Sequence, residues 1–128
     1  MTDRTDPAEH ASLPDAETVL LWIGVLAGPV VALGQEVASY FLVPDACARQ
    51  TSMFVHAAHL VAIVVIAAGL VVCRRAWART GRAYPGELPD PTHRAAFLAF
   101  GGMVANAFFI LIVAGQWLAA FILSPCSA

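Results

Sequence analysis

The chain contains no lysine, and only 12% of its 128 residues are charged, seven arginines set against nine carboxylates. With a formal net charge of -2 and no basic tract outside one loop, it lacks the electrostatic footprint of a nucleic-acid-binding protein. The all-arginine basic complement points to no function of its own. Also missing are a Walker A loop, H-E-x-x-H, G-x-S-x-G and C-x-x-C, so none of the common soluble-enzyme signatures is present. The first eighteen residues hold Asp3, Asp6, Glu9, Asp15 and Glu17 against Arg4 alone. They lack the positive n-region of a signal peptide, and the apolar run after them is too long for one. Residues 1–18 therefore read as an acidic cytoplasmic tail, disordered until Ser12-Leu13-Pro14-Asp15, whose serine, proline and acid mark a helix start.

What is abundant is apolar surface. Hydrophobic residues make up 59% of the chain and its mean hydropathy is +0.73, too apolar for an ordinary soluble domain. Three apolar runs, 19–43, 53–73 and 95–123, each meet the roughly 20 residues needed to cross a bilayer as a helix. The expected fold is all-α, an integral membrane three-helix bundle. Residues 124–128 form a short tail, and the length leaves no room for a separate soluble domain. Five of the seven arginines (Arg74, Arg75, Arg79, Arg82 and Arg94) lie between the second and third runs. The excess of Arg in cytoplasmic loops puts this linker inside, giving N-in/C-out topology with 44–52 as an outer loop. Trp77 and Tyr84 at the inner boundary, and Tyr40 and Trp117 at the outer one, read as interfacial anchors. Asp90 before Pro91 reads as an N-cap with proline at the first helical position.

Each run shows one marked face. Gly24, Gly28 and Ala32 form a small-xxx-small stripe that Glu36 would continue, so Glu36 is expected to face protein. Pro29 is expected to kink this helix. In the second run His56, His59, Ile63, Ile66, Leu70 and Cys73 make a seam, and in the third Gly102, Asn106, Phe109, Val113, Gln116 and Ala120 do the same.

At about 1.5 Å per residue, Glu36, His59 and Gln116 lie roughly 10 Å below the outer boundary and His56 roughly 5 Å below it. They form one polar intramembrane layer, with Gln35 beside Glu36 in sequence but turned about 100° from it. A carboxylate in hydrocarbon costs several kcal/mol, so Glu36 should be paired, neutralised or hydrated, and His59 is its natural partner. The pair reads either as a structural hydrogen bond or as part of a ligand, proton or cofactor site. Met53-x-x-His56-x-x-His59 sets a thioether and two imidazoles on one helix face, a donor set that suits copper. Haem is the other candidate cofactor, though both histidines project from one face and a second chain would have to complete its ligation. His10 and His93, in polar segments, should be solvated.

Of the three cysteines, Cys47 and Cys126 fall outside in this topology and Cys73 at the inner boundary. Outside a bacterial inner membrane the compartment is oxidising, so a Cys47–Cys126 disulfide is expected, with two free thiols as the alternative.

Leu26-Ala27-Gly28-Pro29, the exit Tyr40-Phe41-Leu42-Val43-Pro44 with Cys47 after it, the His56/His59 pair and the closing Ser124-Pro125-Cys126 resemble small bacterial inner-membrane proteins found beside respiratory oxidase components. The resemblance implies a role near a haem-copper oxidase or its assembly, and carries over no site residues. Three functional readings follow. The first is a noncatalytic accessory or assembly subunit of a larger membrane complex. The second is a small copper- or haem-handling protein using Met53, His56 and His59, with Glu36 as a further ligand. The third is an oligomeric transporter or channel with Glu36, His59, Asn106 and Gln116 lining a path between protomers.

Overall fold

The computed structural model describes residues 15–82, 84, 90–123 and 126. Among them the chain forms three α-helices and no strand: α1 Ala16–Arg49, α2 Met53–Arg79 and α3 Asp90–Ile122. Their 34, 27 and 33 residues correspond to about 51, 40 and 50 Å, so each exceeds the roughly 30 Å hydrocarbon core and projects beyond it. All three are long and apolar enough to cross a membrane, and the chain is a multi-pass membrane protein of three packed spans.

The helices run up, down and up, and their ends follow local rules. α1 begins at Ala16 after Asp15, whose carbonyl accepts from the Thr18 and Val19 N–H groups. Ser12 and the acidic tail lie outside the described residues. α1 does not stop at Pro44, as the loop expectation had it, but continues to Arg49. An interior proline removes one hydrogen bond, here the donor for the Tyr40 carbonyl. The turn beyond it is held by an Asp45–Arg49 pair at 3.0 Å and by a closing turn in which Thr51 N–H reaches the Ala46 carbonyl and Gln50 N–H that of Cys47. Gln50 takes the left-handed conformation this closure needs, φ 53°. α2 ends the same way, with Arg82 N–H on the Trp77 carbonyl, Gly81 N–H on that of Ala78 and Gly81 at φ 73°. α1 also passes through Pro29 as uninterrupted helix.

Many small residues face inward, among a few large ones such as Ile66 and Val113, while most large apolar side chains face outward. Leu33, Val64 and Leu111 are at least 60% exposed, whereas Ala96, Ala99 and Gly102 are buried. Where lipid replaces water, association depends on close van der Waals approach and so favours small residues between helices. The buried positions of α1 are Leu21, Gly24, Gly28, Ala32, Gln35 and, near its end, Ala46. Those of α2 are Val55, His59, Ala62, Ile66, Gly69 and Cys73, a strict four-three alternation. The expected α2 seam thus shifts: His59, Ile66 and Cys73 are central, while His56, Ile63 and Leu70 are half-buried at its flank.

Two apolar clusters result. Leu21, Cys73 and Ala99 pack towards the Arg-rich end, and Ala32, Ala62, Ile66 and Val113 form the other. Between them the three backbones close around Asn106. Its Nδ2 donates to the Gly24 carbonyl at 2.9 Å and the Gly102 carbonyl at 2.7 Å. A Cβ placed on Gly69 would lie 2.6 Å from the Ala27 Cβ and 3.1 Å from the Gly24 carbonyl oxygen.

The two ends are tied differently. Arg79 donates to Glu17 at 2.7 Å between exposed side chains, beside a cluster of Trp77, Tyr84 and Phe100 rings. At the opposite end Cys47 and Cys126 form a disulfide across 79 positions, with Cα atoms 5.5 Å apart. Cys73 is the buried free cysteine.

Candidate functional site

The polar layer lies between the second apolar cluster and the disulfide, one turn into the N-terminal half of α2. His59 points into the bundle and is 4% exposed. Its Nδ1 lies 2.8 Å from the Val55 carbonyl, which can only accept, so Nδ1 carries the hydrogen and donates. In the neutral ring Nε2 then accepts, and Gln35 Nε2 supplies the donor at 3.0 Å. The second Gln35 hydrogen goes to Ser39 Oγ at 2.9 Å, leaving Gln35 Oε1 buried without a partner.

His56 sits beside this network on the flank of α2. Trp117 Nε1 donates to His56 Nδ1 at 2.9 Å, and the His56 ring stacks on Phe121 with centroids 4.5 Å apart. The Trp117 ring lies nearly parallel to that of His59, 17° off plane at 6.4 Å, so one indole bridges both histidines. Trp117, half-buried and expected as an interfacial anchor, thus also donates a hydrogen bond from α3 to α2. Its spacing four residues after buried Val113 was the available signal. Ser39 and Phe121 were missed altogether, since neither residue type stands out in an apolar run.

The expected Glu36–His59 pair does not form. Glu36 is exposed on the outside of the bundle, where Gln116 Nε2 donates to its carboxylate. The reason is rotational. A four-residue step advances about 40° beyond a full helical turn, so the Gly24, Gly28 and Ala32 stripe drifts and the interior is regained by a step of three. That step lands on Gln35. The residues do share one level along the bundle, because Gln35–His59, Gln116–Glu36 and Trp117–His56 contacts join all three helices there. Gln116 reaches outward from a half-buried position, with its Oε1 buried and unpartnered.

This geometry bears directly on metal binding. Both nitrogens of His59 are committed to protein partners and Nδ1 of His56 accepts from Trp117, so the face offers one uncommitted imidazole nitrogen, Nε2 of His56. Met53, 72% exposed, opens α2 one turn away. One nitrogen and one thioether do not by themselves complete a copper site, and among the described residues no three His, Cys, Asp or Glu side chains converge. Of the residues expected to line a path between protomers, His59 and Asn106 are buried inside the bundle, whereas Glu36 is exposed. His93 lies half-buried in the first turn of α3, and His10 is outside the described residues.

The layer can therefore lock helix register through hydrogen bonds between all three helices, while presenting one carboxylate outward. No protein family, no curated protein and no solved structure matches the chain.

Proposed function

We propose that the protein is a noncatalytic accessory or assembly subunit of a larger complex in a bacterial inner membrane, with the Arg-rich linker cytoplasmic and Cys47 and Cys126 outside. The observation that carries this reading is the position of Glu36. Glu36, although it accepts from Gln116, holds its carboxylate on the outer surface of the bundle at a depth where lipid would surround it. An ionisable side chain at such a position is costly against hydrocarbon, and contact with another protein relieves that cost. The assignment of the complex to respiration rests on the sequence resemblance described above.

The test is gentle solubilisation of native membranes followed by size separation. A complex of fixed stoichiometry containing this chain and lost on its deletion supports the proposal. A monodisperse single chain from native membranes refutes it. Copper or haem measured on the same preparation separates the alternative, because a stoichiometric cofactor would replace this reading with a metal-handling one.

A further inference from the structure

Glu36 does not stand alone on the outside of α1. With Ser39, Tyr40, Phe41, Val43 and Pro44 it lines a groove of about 730 Å³ near the disulfide end. Its polar groups are biased towards acceptance. The carboxylate accepts from Gln116 and has further lone pairs, and the Tyr40 carbonyl lacks its usual helical donor because Pro44 has no N–H. Tyr40 and Phe41, 79% and 70% exposed and set edge to face at 5.8 Å, add aromatic surface beside the carboxylate. Acceptors next to aromatic rings suit a cation.

We infer that this groove receives a transmembrane helix of a different subunit, and that a lysine or arginine on that helix pairs with Glu36. The inference rests on the accessory-subunit reading and specifies its partner. A second copy of this chain does not supply the cation. Across a twofold axis the same carboxylate would meet itself, and the basic residue at this end, Arg49, lies more than three turns further along α1 and is paired with Asp45. An anionic lipid headgroup is repelled by the same carboxylate.

The experiment places a photo-crosslinking aromatic residue at Tyr40 of the full-length chain in its native membrane. A second chain carries it at Val64, 60% exposed on α2, as a reference face. The expected result is a Tyr40 adduct to another membrane protein, on a helix with lysine or arginine within one turn of the linked residue. Its yield should fall at least tenfold in Glu36→Gln. That variant keeps an oxygen for Gln116 and so leaves the bundle's thermal stability unchanged. Exchanging the charges, Glu36→Arg against partner cation→Glu, should restore the adduct. An adduct to a second copy, to lipid only, or to a helix without a cation overturns the inference, as does a yield insensitive to Glu36→Gln. If a complex copurifies while any of these occurs, this inference alone fails. If nothing copurifies and neither position links to protein, the accessory-subunit reading fails with it.

Discussion

Gln35 and His59, 24 residues apart, meet at 3.0 Å inside the bundle and tie α1 to α2. The contact fixes the His59 tautomer, because Val55 takes the other ring nitrogen. Gln35→Leu should cost about 1–3 kcal/mol by leaving that nitrogen buried without a donor. Combined with His59→Phe in a double-mutant cycle, the coupling should be about 0.6 kcal/mol, the average for hydrogen bonds between membrane helices, and at most about 1.7 kcal/mol. Reversible unfolding in mixed detergent gives the numbers. Additive single effects would show that the pair contributes nothing beyond its separate packing.

Close approach at the Asn106 level makes a second prediction. Gly69→Ala would drive a methyl to within 2.6 Å of the Ala27 Cβ and should destabilise by about 1–3 kcal/mol. Gly34→Ala and Gly101→Ala meet nothing within 4 Å and should be neutral or stabilise by up to about 1 kcal/mol through helix propensity. Equal effects at all three positions would contradict the packing described.

The disulfide predicts a thiol count. Protein unfolded without reductant should show one free thiol, Cys73, which stays unlabelled while the bundle is folded because it is buried between Gly24 and Gly102. Replacing Cys47 and Cys126 by serine should lower stability by roughly 4 kcal/mol on chain-entropy grounds, the loop being long. Three reactive thiols from intact membranes would remove the bond from the mature protein.

Topology is open to labelling. Ala78 is exposed near the end of α2, and the native cysteines are either bonded or buried, so Ala78→Cys introduces one accessible thiol. Because five of seven arginines cluster here, the thiol should be shielded from an impermeant reagent in intact cells and react in inverted membranes. Reaction from outside would reverse the orientation.

The number of spans, their approximate limits, the common depth of the polar layer and the pairing of Cys47 with Cys126 were all readable from the sequence. They depend on quantities linear along the chain: apolar run length, a rise of 1.5 Å per residue and distance from the span ends. Which side of each helix faces inward was not readable in the same way. Gln35 and Glu36 are neighbours separated by about 100°, and whether the interior seam of α1 takes a step of three or four after Ala32 is decided by the helices packed against it. That choice buried Gln35 against His59, turned Glu36 outward to Gln116, moved the centre of α2 from His56 to Val55 and His59, and set the half-buried Trp117 against both histidines. Only the tertiary structure decides such matters, because a rotation of one residue leaves hydropathy and depth almost unchanged while exchanging every lateral contact.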